Sequence, residues 1–172
     1  MRPYSPERHE FSRKMSAIAF RQIYVPVFGA VGMKRTDNCP DGPTDPDLRG
    51  TDVVLILRSG RRITVAERFR RAPYVAYDDI TIRCSSLLTG RKLEIVGLNA
   101  QYMLYAVANE DETGFLRWDI LYAPKLMEIV DSGSFEKRHN ADGSSVFLAV
   151  PRKLLLNSGA IMASSEAERR AS

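Results

Sequence analysis

The spacing of apolar side chains divides the chain into a helical start and a series of short strands. Apolar residues recur every three to four positions over 5–25, behind a helix-capping Ser5, so this segment is predicted to be a helix. Residues 36–50 are rich in Asp, Pro and Gly and are predicted to be a loop. Three apolar runs are predicted to be strands, of which the first two form a hairpin: 52–58, 61–69 and 79–84.

The second half of the chain is predicted to alternate between helices and strands. Residues 94–107 are predicted to be a helix, because Glu94, Leu98, Gln101 and Tyr105 recur at helical spacing and share one face. The elements that follow are a strand at 115–122, a short helix at 124–130, a loop at 132–145, a strand at 146–150 and a short helix. The polar tail 163–172 is expected to fray. The pattern thus predicts one α/β (α+β) domain over 1–172, with its core at 52–150.

The predicted strand at 61–69 is unusual because charged residues stand in its middle. Side-chain alternation separates two sets, one of Ile63, Val65, Glu67 and Phe69 and the other of Thr64, Ala66, Arg68 and Arg70. Buried charges cost free energy unless they are paired. Two explanations stay open. One is a structural salt bridge at a sheet edge, and the other is a metal-binding carboxylate beside a cation that stabilises phosphate chemistry.

The charge of the chain is unevenly distributed. The 172 residues have a formal net charge of +4, with 19 arginines against 6 lysines. Residues 1–36 and 53–71 are basic, whereas 37–52 hold five acidic groups and one basic group. An acidic segment between basic ones suits an enzyme that acts on a polyanion, because carboxylates hold hard cations and arginines hold phosphates. A solvated surface with uneven loops explains the same pattern.

Composition sets several classes of protein aside. No apolar run reaches the roughly 20 residues that cross a membrane, and the polar start of the chain has no signal-peptide core, so a cytoplasmic location is expected. Cys39 and Cys84 are too few for a disulfide framework or a zinc set. His9 and His139 have no metal-ligand spacing, and neither a phosphate-binding glycine loop nor a nucleophile elbow is present.

Short motifs link the middle of the chain to a known superfamily. GTD at 50–52 precedes ERFR at 67–70 and DITIR at 79–83, a combination that resembles a group of uncharacterised bacterial and phage proteins. The order of helix, three-stranded meander, helix and strand resembles the PD-(D/E)XK nuclease superfamily. The resemblance implies a restriction-endonuclease-like αβββαβ core with a central mixed sheet flanked by helices. It also implies DNA as partner and Mg²⁺ as cofactor.

The resemblance also implies a set of site residues. The metal ligands would be Asp52 and Glu67, and the catalytic set would be Asp52, Glu67, Arg68, Glu94 and Gln101. The nucleic-acid backbone would be held by Arg58, Arg61, Arg62, Arg70 and Arg71. This sequence departs from the superfamily at the acidic-x-Lys motif, where Ala66 and Arg68 stand. A bulge could turn Glu67 inward, or Glu94 or Glu10 could supply the carboxylate. The spacing Gln101-x-x-x-Tyr105 also resembles a motif of some nucleases of this fold.

Three functions follow from these observations. The favoured one is a Mg²⁺-dependent nuclease that acts on DNA, with Asp52 as metal ligand and Arg68 stabilising phosphate charge. The second keeps the nuclease scaffold but only binds DNA, because Arg is a poor proton carrier at a position where Lys is usual. The third is a protein-interaction or assembly component, including a homo-oligomer, whose Arg-rich hairpin forms ion pairs between subunits.

Overall fold

The amino-terminal helix runs past its predicted end and changes geometry on the way. The computed structural model describes residues 6–36, 50–86, 98–139, 143 and 145–166. The helix has three consecutive pieces: α1 (Pro6–Ala19), a π-helical turn (Phe20–Tyr24) and α2 (Val25–Phe28). Pro26 has no backbone N–H, and just before it the Val25 N–H bonds to the Phe20 carbonyl in the wider π turn. Gly29, with φ of 66°, ends the helix.

The described residues contain nine strands. They are β1 (Ala30–Arg35), β2 (Val53–Leu57), β3 (Arg62–Arg70), β4 (Asp79–Ser86), β5 (Tyr102–Ala108), β6 (Phe115–Tyr122), β7 (Glu136–His139), β8 (Ser145–Pro151) and β9 (Ile161–Ser164). Six of them form a central mixed sheet in the order β1-β2-β3-β5-β6-β9, and three form a smaller sheet in the order β4-β8-β7. Within the large sheet β3 and β5 are parallel, and every other neighbouring pair is antiparallel.

The large sheet lies between a helical layer and a mixed layer. On one face, the amino-terminal helix packs against a cluster that includes Ile63, Val65 and Leu104. On the other face, the small sheet packs together with α3 (Ala123–Ser132) and α4 (Arg152–Asn157) against a cluster that includes Ala66 and Met103. The side chains of β3 therefore alternate as predicted, since the consecutive residues Val65 and Ala66 belong to the two hydrophobic clusters on opposite faces of the sheet. The α+β class and the central mixed sheet are confirmed.

Two predicted elements are wrong in type or place. Residues 102–107, predicted to end a helix over 94–107, belong to strand β5. This strand is buried on both faces, so its apolar run lacks the alternation that marks a half-buried strand. The strand predicted at 79–84 is present, but it belongs to the small sheet. The meander is completed instead by β1, an edge strand that the pattern did not reveal.

Smaller differences concern loops and ends. Strand β7 lies inside the loop predicted at 132–145, where it pairs with β8. Residues 163 and 164, predicted to belong to a frayed tail, pair with β6 as part of β9, and 167–172 lie outside the described residues. The loop predicted at 36–50 also lies outside them, apart from its first and last residues.

Candidate functional site

Asp52 and Glu67, the two predicted metal ligands, are neighbours at the start of β2. The pairing of β2 with β3 begins at Val53 opposite Val65, and Asp52 comes just before it. The Asp52 side chain continues the ladder there, because the Glu67 backbone N–H donates to Asp52 Oδ2 at 2.6 Å. The structure thus brings the two residues together through a backbone bond, and it gives Asp52 a role in holding the end of the sheet.

The Glu67 carboxylate is enclosed by polar side chains from the helix and the edge strand. Its Oε1 accepts bonds from the Ser16 hydroxyl at 2.9 Å and the Tyr24 hydroxyl at 2.8 Å. Its Oε2 accepts a bond from Arg35 Nη1 at 3.1 Å, and only 1% of the Glu67 side chain is exposed. The pairing of β3 with β5 has no register shift from Val65 to Arg70, so no bulge in it turns Glu67 toward the face of Arg68.

Burial raises the pKa of Glu67 to about 7. Loss of water around the carboxylate is the largest cause, and the charge of Asp52 adds to it. Tyr24, Ser16 and Arg35 act in the opposite direction, because the bonds they donate favour the charged form. Burial, together with the charge of Glu67, raises the pKa of Tyr24 well above its usual value, so the phenol remains a donor. Glu67 therefore titrates near neutral pH inside a closed pocket.

This arrangement does not fit a magnesium site. Mg²⁺ demands near-ideal octahedral oxygen geometry and keeps several waters. Both Glu67 oxygens already accept bonds from protein donors, and Arg35 supplies a positive charge beside them. In the part of the chain that the structure describes, no group of three His, Cys, Asp or Glu side chains could hold a metal ion. Glu94, the further predicted carboxylate, lies outside the described residues.

Arg68 lies on the opposite face of β3 from Glu67, in a group of three arginines. We call Arg68, Arg70 and Arg83 the arginine cluster. Burial is the largest cause that lowers the pKa of Arg68, followed by the charges of Arg83 and Arg70, and together they bring it to about 9. Asp52 acts in the opposite direction. Like charges in a buried position repel one another, and the charge of Asp52 offsets part of this repulsion at Arg68.

Arg70 is held by side chains that surround the cluster. Its Nη2 donates to the Thr81 hydroxyl of β4, which lies 3.4 Å from the Tyr105 hydroxyl. Its guanidinium lies 5.3 Å from the centre of the Tyr74 ring and 6.0 Å from that of Tyr105, within the range of cation–π attraction. Arg70 is thus fixed between β3, β4 and β5.

The other predicted nucleic-acid contacts divide into paired and unpaired arginines. Arg71 pairs with Glu112 at 2.6 Å. By contrast, the side chains of Arg58, Arg61 and Arg62 are exposed around the β2–β3 turn, and the structure records no ion pair between them and the other described residues. Gly60, with φ of 82°, permits this tight turn, in which its N–H bonds to the Leu57 carbonyl. We call Arg58, Arg61 and Arg62 the hairpin arginines.

Gln101 lies at the start of β5 and contacts β3. Its Oε1 accepts the Thr64 backbone N–H at 3.2 Å, and its own N–H donates to the Thr64 hydroxyl at 3.0 Å. The Gln101-x-x-x-Tyr105 spacing is therefore not helical here, because Tyr105 belongs to a strand. The two reciprocal bonds extend the β3–β5 pairing beyond its first residue pair and give Gln101 a structural contact.

The residues that surround Glu67 are not marked by any of the short motifs in the sequence. Ser16, Tyr24 and Arg35 come from three different elements, and none of them belongs to a short motif. One signal was available, because Ser16 stands among the apolar positions of the helix and is fully buried. A polar residue on the buried face of a helix needs a partner, and a buried strand glutamate supplies one.

Comparisons with known proteins found no relative of this chain. No family model matches the chain, and neither the curated proteins nor the solved structures gave a match. A search for membrane spans among the described helices found none with the length and apolar character needed to cross a bilayer.

Proposed function

We propose that this chain binds nucleic acid through the phosphate backbone. The observation that carries the proposal is the set of hairpin arginines, three exposed guanidinium groups without an ion pair among the described residues. Guanidinium groups bind phosphates through two parallel hydrogen bonds, and each contact releases counterions from the nucleic acid. Arg62 also lies on the same face of β3 as Arg68 and Arg70, so the arginine cluster adds positive potential to that face.

The order of the strands supports a nuclease-like scaffold for this binding. A helix precedes the antiparallel meander of β1, β2 and β3, and β5 lies parallel beside β3. This order is compatible with the PD-(D/E)XK resemblance at GTD and ERFR, which lie at β2 and in β3, whereas DITIR lies in β4 of the small sheet. The resemblance makes DNA the partner we propose. The segment between β4 and β5, where the resemblance implies a second helix, lies largely outside the described residues.

Fluorescence anisotropy with labelled duplex DNA tests the proposal. The triple variant Arg58→Ala/Arg61→Ala/Arg62→Ala is expected to bind about tenfold more weakly or worse at low salt, because three phosphate contacts are lost. The matched control is Lys125→Ala/Lys137→Ala/Lys153→Ala, which removes three positive charges from α3, β7 and α4. The control should change affinity by less than about threefold. An equal loss in both triple variants would show that only net charge matters, against the proposal.

Magnesium-dependent hydrolysis of the phosphodiester bond is a second candidate function. It is favoured by one observation, the adjacency of Asp52 and Glu67. Because Arg35 binds the Glu67 carboxylate, the residues as arranged do not supply the ligand set, and this candidate ranks below binding. Labelled DNA incubated with Mg²⁺ or Mn²⁺ tests it. Cleavage by the native chain that is lost in Asp52→Asn would support hydrolysis, whereas cleavage that persists in Asp52→Asn would exclude this site.

A further inference from the structure

An exposed aromatic ridge follows directly after β3. It is built on a 3-10 helix (Ala72–Ala76), which has Pro73 in its first turn and ends at Tyr77. Tyr74 is 48% exposed and Tyr77 is 54% exposed, and their ring centres are 6.2 Å apart with the planes tilted by 42°. Large aromatic rings left this open are candidates for contact with a ligand. We call these two side chains the tyrosine pair.

Arginines hold both rings of the tyrosine pair in place. Arg70 lies 5.3 Å from the centre of the Tyr74 ring, and Arg138 lies 6.0 Å from the centre of the Tyr77 ring. Arg117 also donates to the Tyr77 carbonyl at 2.8 Å, which fixes the backbone at the end of the helix. The rings are therefore preorganised, so a ligand that stacks on them loses little additional side-chain entropy on binding.

Two depressions are lined in part by residues of the 3-10 helix and Tyr77. One of about 410 Å³ is lined by residues that include Tyr77, Phe135 and Arg138. A second of about 400 Å³ is lined by residues that include Arg71, Val75 and Leu116. Each volume falls in the range of roughly 300–1,000 Å³ in which small planar ligands are bound. Together with the rings, these depressions offer flat apolar surface next to cationic groups.

The charges around the ridge favour a ligand with negative groups on the side of Tyr74. Near Tyr77, Arg138 bonds to Asp79 at 2.6 Å and to Glu136 at 2.9 Å, and the exposed Asp78 lies 3.8 Å from Arg117 Nη1. Next to Tyr74 lies Arg70, a member of the arginine cluster, with its guanidinium 5.3 Å from the centre of the ring. A ligand that places flat rings on the tyrosine pair and phosphates toward Arg70 matches this distribution.

We propose that the tyrosine pair is a stacking platform for unpaired bases of a single-stranded nucleic acid, with the adjoining phosphates directed toward Arg70. The inference rests on the proposed function and names its substrate class. Every base has a π face, so stacking on tyrosine tolerates any sequence. A duplex keeps its base faces stacked inside and cannot use the platform. Single-stranded or locally opened nucleic acid is therefore the preferred ligand.

The experiment compares single-stranded and duplex ligands by fluorescence anisotropy. The probes are a labelled oligothymidine and a labelled blunt duplex. Tyr74→Ala and Tyr77→Ala should each weaken binding of oligothymidine by about fivefold or more and leave duplex binding within about twofold. Tyr74→Phe and Tyr77→Phe keep the stacking face and should bind oligothymidine like the native chain. The matched control is Tyr122→Ala, which removes an exposed tyrosine (44% exposed) at the end of β6 and should change neither affinity.

The outcomes separate this proposal from the one on which it rests. Loss of oligothymidine binding in the alanine variants alone supports the platform, provided that circular dichroism shows the native fold. Unchanged oligothymidine binding in both alanine variants overturns it, even if the hairpin arginines still prove essential for duplex binding. Equal losses for oligothymidine and duplex also overturn it, as would an equal loss in Tyr122→Ala. A native chain that binds neither probe overturns both proposals.

Discussion

The two faces of β3 carry opposite charges in different surroundings. Glu67 points toward the helix, where Ser16, Tyr24 and Arg35 enclose its carboxylate. Arg68 points toward the small sheet, where its neighbours in the arginine cluster carry the same charge as itself. On the first face, the side chains that contact the charge all belong to the interior of the protein. On the second face, two further arginines of β3 lie toward the surface. Arg62 lies next to the hairpin turn, and Arg70 contacts Tyr74 of the aromatic ridge.

This difference indicates that the charged residues on the two faces of β3 have different roles, a structural one for Glu67 and a functional one for the arginines. A buried carboxylate that accepts three donated bonds ties together the elements that supply them, here α1, the π-helical turn and β1. Like charges gathered in one place destabilise the free protein and are compensated when an anion binds. The acidic face thus stabilises the fold, and the arginine face is the one we propose to bind nucleic acid.

Removing the counter-cation of Glu67 should have the largest effect on stability. Arg35→Met is expected to lower the free energy of unfolding by roughly 3–5 kcal/mol at pH 8, because it leaves a buried charge without its cation. At pH 5 the loss should be smaller, since Glu67 is then protonated. Urea denaturation at the two pH values measures both quantities.

The matched control for Arg35 is Arg71→Met, which breaks the exposed pair with Glu112. Exposed pairs contribute roughly 0–1 kcal/mol, so this variant should remain close to the native chain at both pH values. Similar losses in Arg35→Met and Arg71→Met would mean that the acidic face is not a closed structural site.

The pH dependence of stability should reveal Glu67 directly. The pKa of Glu67 is about 7 in the folded chain, whereas its ordinary value is 4.5. Between pH 4.5 and pH 7 the folded state therefore binds more protons at this residue than the unfolded state does. The stabilising contribution of that proton is complete below pH 4.5 and is lost as pH rises to about 7. The total loss is roughly 3 kcal/mol, at about 1.4 kcal/mol per pH unit.

Glu67→Gln cannot titrate and should lack this slope, which unfolding curves from pH 4.5 to 8.5 would show. Glu128→Gln, on the exposed side of α3, should keep the native slope. If Glu67→Gln retains the slope, another group is responsible and the proposed titration of Glu67 is wrong.

A smaller effect is expected on the arginine face. Thr81→Val keeps the size of the side chain but removes the hydroxyl that accepts a bond from Arg70. A hydrogen bond to a charged group contributes roughly 1.5–3 kcal/mol, so the variant should lose about that much at any pH between 5 and 9. Ser132→Ala, exposed at the end of α3, should lose less than about 0.5 kcal/mol in the same denaturation experiment. Equal losses would show that the Arg70 contact contributes little.

The fold could be predicted where one face of a strand is buried and the other is open. β3 alternates and was found within one residue of its bounds, whereas β5 is buried on both faces and was mistaken for a helix. β1 was not predicted, because an edge strand needs no strong alternation of apolar and polar residues, and Gly32 interrupts the apolar positions that this strand has. Assignment of β4 to a second sheet depends on tertiary packing, which local pattern does not contain.

The candidate site was predictable only in part for the same reason. Asp52 and Glu67 were expected to be close, and the structure places them side by side. The donors around Glu67 are far from it in sequence, so spacing could not reveal that the carboxylate is already satisfied. Likewise, the arginine cluster needs Arg83 from the other sheet, and although Arg68 and Arg83 belong to the ERFR and DITIR motifs, the motifs do not show that the two side chains lie close together.

The salt dependence of DNA binding tests the central claim most directly. The logarithm of the binding constant falls linearly with the logarithm of salt concentration, with a slope of about −0.9 for each phosphate contact on duplex DNA. We expect Arg58→Ala/Arg61→Ala/Arg62→Ala to make this slope shallower by about 2–3, because up to three contacts are lost. A native slope in the triple variant would contradict the claim that the hairpin arginines bind the nucleic-acid backbone.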